Sequence, residues 1–174
     1  GSAGKTSLKE LLSYSLKKLS PITYSKKSYN NKFGVPLSLF NLKKRDKFGV
    51  FEVGMDKKGE INYLTKNLVP DLGIITNISY AHIKNFKNLT EIAAAKSEMM
   101  NNITQNGTIV LNMDDSYFNF FKNIALKKKL KIISFSKKIS SADIFLKKIV
   151  KYKSNLKVIF KIKNYYKSFI IKNN

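Results

Sequence analysis

The first seven residues, Gly1-Ser2-Ala3-Gly4-Lys5-Thr6-Ser7, have the types and spacing of the C-terminal part of a loop that holds a nucleoside triphosphate. Glycines let successive backbone N–H groups curl around phosphate oxygens, and a helix that starts directly behind them adds a favourable dipole. In such a loop Lys5 reaches the β- and γ-phosphates of ATP, and the Thr6 hydroxyl ligates Mg2+. A Gly-Lys-Thr triplet also arises by chance, and a Gly-Ser start can be left by cloning. Leu8, Leu11, Leu12, Leu16 and Leu19 follow at helical spacing, which is the context the loop requires. The complete motif opens on a glycine further upstream, behind a buried strand, and neither lies in these residues.

Three more positions could carry chemistry. Glu52 stands near the end of a strand-like run, His82 is the single histidine, and Lys96 sits in Ala93-Ala94-Ala95-Lys96-Ser97-Glu98. Open α/β sheets place their ligands at the carboxyl ends of strands, where Glu52 and His82 fall. Taken singly, a lone histidine is more often structural and a helical lysine more often solvated. Their order behind a phosphate loop is what gives them weight.

The elements that must position these groups are legible in the pattern. The leucine-spaced helix closes at Pro21, and a polar loop runs from Ser25 to Gly34. Residues 48–53 read as a strand and 72–78 as a second, introduced by Pro70-Asp71. Residues 89–100 read as a helix with Thr90 as its N-cap. A third strand over 107–112, a helix over 116–129 and a fourth strand over 131–135 follow. This alternation predicts an α/β fold of phosphate-loop type, a mostly parallel sheet flanked by helices. Residues 144–150, 156–162 and 165–171 are short β-prone stretches, expected as a C-terminal antiparallel extension spanning residues 137–174 of the same 1–174 domain.

Composition narrows the classes further. The 174 residues are 43% hydrophobic and 25% charged, which is globular usage. With no cysteine, disulfide frameworks, thiolate zinc sites and cysteine nucleophiles are excluded. No run approaches the roughly 18 apolar residues of a membrane helix, and the start has no signal-peptide pattern, so a cytoplasmic protein with no membrane partner is expected. The formal net charge is +22, from 33 basic and 11 acidic residues. Such a balance suits a polyanion. Arg45 is nevertheless the sole arginine, whereas nucleic-acid readers favour arginine for bidentate contacts. The lysine excess, with its many asparagines and isoleucines, reads better as compositional bias, and no nucleic-acid partner is expected. Beyond Ser116 Asp143 is the one acid, so the acids that could hold metal lie mostly in the first part of the chain.

The series as a whole resembles the Mur ligase family of ATP-dependent amide-forming enzymes. It is carried by Gly1-Ser2-Ala3-Gly4-Lys5-Thr6-Ser7, by Tyr29-Asn30-Asn31 with Gly34-Val35-Pro36-Leu37, and by Glu52-Val53-Gly54 with Gly59-Glu60-Ile61. Thr76-Asn77-Ile78 with Ala81-His82, then Ala95-Lys96-Ser97-Glu98, and Asn112-x-Asp114-Asp115 complete it. The resemblance covers roughly residues 1–136. The asparagine pair before Gly-Val-Pro-Leu, with Gly-Glu-Ile after Glu-Val-Gly, points within the family to addition of D-alanyl-D-alanine to UDP-N-acetylmuramoyl-tripeptide.

By resemblance, Lys5 and the amides of Gly1 to Ser7 hold ATP, Thr6 and Glu52 hold one Mg2+, and His82 helps to bind a second. Lys96 is implied to be carbamylated, which turns an amine that repels divalent cations into a carboxylate-like ligand. Lys5, His82 and Lys96 are the implied catalytic set, and Asn30 and Asn31 the implied contacts to nucleotide or substrate. Magnesium prefers oxygen, so Glu52 is the more natural ligand than His82. Family members have an N-terminal domain for the uridine nucleotide and a C-terminal domain that closes over the amine. Neither is expected here, so this stretch by itself is expected to bind nucleotide weakly and not to ligate, within a longer enzyme that is monomeric. Two other readings stay open: another Mur-like amino-acid ligase with a different acceptor, and a basic nucleic-acid-binding module.

Overall fold

The computed structural model describes residues 1–80, 85–152 and 155–172. They divide into two compact units, one of residues 1–71 and 76–104, the other of residues 72–75 and 105–174.

The first unit opens on α1 (Lys5–Lys17), capped by Gly4 at φ 75°, a left-handed conformation that glycine adopts without steric cost. The inward row of α1 is Leu8, Lys9, Leu12, Ser13 and Leu16. Leu11 and Leu19, expected on the same apolar stripe, are 66% and 74% exposed. Five leucines at 3–4 spacing span more than one face, and the tertiary contacts choose the 8–12–16 row with the neighbouring 9–13 row. Then come β1 (Ile22–Tyr24), α2 (Gly34–Phe40), β2 (Phe48–Val50) and α3 (Glu60–Leu68). Strands β1 and β2 pair in parallel, Ile22 opposite Phe48. The first strand, α2 and α3 had no clear signal, because three-residue strands and helices of seven to nine residues are too short for a period to show.

Helix α4 (Leu89–Ser97) runs straight into a 3₁₀ turn over Glu98–Asn101. Its N-cap is Asn88, whose side chain accepts from the Glu91 amide, and not Thr90. Both residue types cap well. Asn88 takes the extended backbone a cap needs (φ −160°), while Thr90 already lies inside the first turn. The core of this unit gathers Met55, Ile61, Phe86, Ile92 and Ala95, with Val53, Ile78, Leu89 and Met99 packed on it. Glu98 fastens α3 to this core: its two carboxylate oxygens accept from the amides of Gly59 and Asn62, at the positive end of α3.

The second unit is one six-stranded sheet of β3 (Leu72–Ile75), β4 (Thr108–Asn112), β5 (Lys131–Ser136), β6 (Ile144–Tyr152), β7 (Asn155–Ile162) and β8 (Tyr165–Lys172), in that order. The pairs from β3 to β6 are parallel, and β6–β7 and β7–β8 are antiparallel. This is the expected α/β architecture, with its antiparallel strands continuing the parallel sheet. Helix α5 (Phe118–Lys127) packs on β4 and β5, and its Phe121 and Ala125 are buried, as are Ile109 and Leu111 of β4. Every residue of β8 is exposed. Among the described residues no helix is long and apolar enough to cross a membrane.

Candidate active site

All of the site lies in the first unit, and it is built from the loop outward. The loop is braced by the segment after β3. The Ser2 amide donates to the Asn77 carbonyl (2.8 Å), and the Ala3 amide donates to Asn77 Oδ1 (2.9 Å). Thr76 Oγ1 donates to the Ala3 carbonyl at 2.6 Å. Buried Ser2 donates its hydroxyl to the Ser79 carbonyl and accepts from the Ser79 amide. A Cβ on Gly1 would stand 1.7 Å from Thr76 Oγ1 and 2.8 Å from the Asn77 nitrogen. Only glycine lets the two backbones approach so closely.

Beyond this brace the loop turns at Gly4 into α1. No side chain caps the helix, and the amides of Lys5, Thr6 and Ser7 precede the first intrahelical bond, made by Leu8 N–H to the Gly4 carbonyl. Three donors at a positive helix end make an anion cradle. Lys5 folds back over the loop, its Nζ donating to the Gly1 carbonyl at 3.1 Å, within reach of whatever the loop encloses.

Glu52, two residues beyond β2, is 5% exposed. Its Oε2 accepts from the Thr6 hydroxyl (2.8 Å) and its Oε1 from Asn30 Nδ2 (2.7 Å). Neither partner carries charge. Among the described residues, this carboxylate withdrawn from water is met by neutral side-chain donors, whereas a buried charge is ordinarily paired. Thr6 and Glu52 together present hard oxygens, the donor set Mg2+ prefers. The backbone of Asn30 is pinned too, its carbonyl accepting from the Gly54 amide at 2.6 Å. Asn31 turns elsewhere: its Oδ1 accepts from the amides of Phe33 and Gly34 and so serves the start of α2.

Lys96 is 4% exposed on α4. Burial, with the Lys5 charge as the second cause, pulls its ammonium down to about 8 from the usual lysine value. A sizeable neutral-amine fraction near physiological pH follows. The loop, Lys5, Thr6, Glu52, Asn30 and Lys96 are therefore brought together, and Asn31 is not. His82 lies outside the described residues. Among the described residues no three histidine or acidic side chains cluster as a metal site. The positions that sequence reasoning did not single out are Lys9, Ser25 and Ser79. In a chain with 33 basic residues Lys9 carried no distinguishing signal.

Residues 1–172 match the family model of the Mur ligase middle domain. The chain belongs to the Mur ligase family. It is 37% identical over 138 residues to the UDP-N-acetylmuramoyl-tripeptide–D-alanyl-D-alanine ligase of Buchnera aphidicola (subsp. Acyrthosiphon pisum), covering 79% of this chain and 30% of that protein. The ligase of the same name from Haemophilus influenzae is 32% identical over 126 residues, covering 70% of this chain and 28% of the other. Among solved structures, MurF from Acinetobacter baumannii superposes with a TM-score of 0.90 at 29% identity, over 99% of this chain and 37% of that one. This Mur ligase chain thus spans about a third of the length of the relatives it matches.

Proposed function

We propose that these residues are the ATP-binding part of a cytoplasmic ligase that joins D-alanyl-D-alanine to UDP-N-acetylmuramoyl-tripeptide in peptidoglycan precursor synthesis. The observation that carries the reading is the meeting of the Thr6 hydroxyl with buried Glu52 beside an uncapped helix start. The similarity to relatives bearing that ligase name supports the choice of substrates.

In the first step an oxygen of the tripeptide's terminal carboxylate attacks the γ-phosphorus of ATP. The bond to the bridging oxygen breaks, ADP leaves, and an acyl phosphate forms. In the second step the amine of D-alanyl-D-alanine attacks the acyl carbon, phosphate departs with the C–O electron pair, and the nitrogen loses a proton. The first step brings two anions together, so its barrier falls only where fixed positive charge faces the phosphoryl oxygens. The amides of Lys5, Thr6 and Ser7 and the Lys5 ammonium supply such charge from this chain. Thr6 and Glu52 would hold Mg2+, which when bound neutralises phosphate charge. The lowered Lys96 amine favours carbamylation: the neutral nitrogen attacks carbon dioxide, a C–N bond forms and a proton leaves. The resulting anion would no longer repel Lys5 and would suit a second cation, with His82 as a further candidate ligand.

The test is nucleotide binding by the chain with and without Mg2+, together with phosphate release by a longer ligase containing these residues. Metal-dependent ATP binding that is lost in Lys5→Met is expected. Phosphate release should require ATP, the tripeptide and D-alanyl-D-alanine together. ATP binding indifferent both to Mg2+ and to Lys5→Met would overturn the reading.

A further inference from the structure

Lys9 is the one lysine of α1 that points inward, and it is 3% exposed. Its ammonium donates to the Ser25 carbonyl at 2.8 Å and to the Lys27 carbonyl at 2.6 Å, and it pairs with Glu10 at 2.7 Å. These contacts compensate a charge that burial would otherwise make costly. They also stitch the helix behind the phosphate loop to the turn that follows β1. Lys27 sits there at φ 48°, a left-handed conformation that non-glycine residues rarely adopt. Two consequences run from this turn to Glu52. The hydroxyl of fully buried Ser25 accepts from the Glu52 amide at 3.2 Å. Three residues past Lys27, Asn30 gives its side-chain amide to Glu52 Oε1.

We infer that Lys9 is a positioning residue for the Glu52 carboxylate, acting through the Ser25–Lys27 turn. It touches neither the phosphate loop's cradle nor Glu52 itself. One helix therefore carries both halves of the arrangement: Thr6, which meets one carboxylate oxygen, and one turn later on the inward side Lys9, which fixes the segment that holds the other. The inference rests on the reading of Glu52 as a metal ligand only for its effect on metal, because the packing consequence stands apart from it.

The experiment uses the full chain as Lys9→Met, Lys9→Arg and Ser25→Ala, with Lys17→Met as an exposed control on the same helix. Amide NMR follows the Glu52 backbone N–H and the Asn30 side-chain NH2. In parallel, the Mg2+ concentration giving half-maximal ATP binding is measured. Lys9→Met and Ser25→Ala are expected to shift the Glu52 signal, and Lys9→Met the Asn30 signal as well. Both should raise the Mg2+ requirement by about 10-fold or more, the usual scale for removing an outer-shell support. ATP affinity without metal should stay within about twofold of the parent, and Lys9→Arg should recover part of the loss. Unchanged Glu52 and Asn30 signals in a folded Lys9→Met protein would overturn the inference. So would an unaltered Mg2+ requirement in Lys9→Met, or in Ser25→Ala should Lys9→Met not fold. Parent ATP binding indifferent both to Mg2+ and to Lys5→Met would sink the proposed function instead, and the NMR signals would still decide the role of Lys9.

Discussion

Glu52 and Asp114 occupy equivalent places in the two units, each a carboxylate two residues past the end of a parallel strand. Their surroundings differ in kind. Asp114 accepts from the backbone amides of Lys137 (2.7 Å) and Lys138 (3.3 Å), together with the Ser136 hydroxyl. Burial works against its charge, yet those three donors outweigh the cost and hold it below the ordinary carboxylate range. Backbone donors cannot leave, so Asp114 is committed to closing the turn after β5. Glu52 is met by two side chains, Thr6 and Asn30, whose hydroxyl and amide can reorient when a cation arrives. The contrast separates a carboxylate committed to structure from one that, on the proposed function, stays available for a cation.

The strongest way to break this comparison is Glu52→Gln. It keeps the shape, removes the charge, and is expected to lower phosphoryl transfer in the longer ligase by about 10²–10³-fold, the scale of losing one preorganised electrostatic group. A kcat within about threefold of the parent would place Glu52 with Asp114 among structural carboxylates.

Lys96 sharpens the contrast from the cationic side. An unfolded lysine titrates near 10.5 and Lys96 in the fold near 8. Between those values the unfolded chain binds more protons, so stability rises with pH across that window. The full rise amounts to about 3 kcal/mol. Lys96→Met should be flat over the same range in carbonate-free buffer, as denaturant melts at pH 7 to 10.5 would show. A parent curve equally flat would mean that the ammonium is not penalised in the fold.

The smallest effect belongs to Asp114→Asn. It should cost about 1–3 kcal/mol of stability by leaving amide donors poorly met, without changing the Mg2+ requirement for ATP. A depressed carboxyl stabilises above its unfolded value of 3.8, and that contribution fades as pH falls through the lower folded value. The variant should therefore lack part of the acid-side loss seen in the parent. A raised Mg2+ requirement in this variant would erase the distinction between the two carboxylates.

Much of the site was legible beforehand because short-range rules govern it. Gly4-Lys5-Thr6 followed by spaced leucines specifies a glycine turn into a helix whatever lies around it. Alternating strand and helix patterns from residue 72 onward likewise specify a parallel sheet, and the three β-prone runs after Ile144 its antiparallel continuation. Less legible were elements too short to display a period, such as β1 and α2, and the choice of Asn88 over Thr90 as cap, which backbone conformation decides.

The sequence by itself determined the glycine turn into a helix, the sheet class and the family resemblance, since each depends on residue types at fixed local spacing. Only the tertiary structure decided which charged groups are withdrawn from water. Lys9 looks like any of the other lysines in one dimension, and the motif series that singles out Glu52 and Lys96 says nothing of their burial. Burial and the identity of the donors that meet a charge arise from segments far apart in the chain, such as Thr6 against Glu52 and Lys9 against Ser25. Those long-range meetings set what a charge costs, and so whether it serves structure or chemistry.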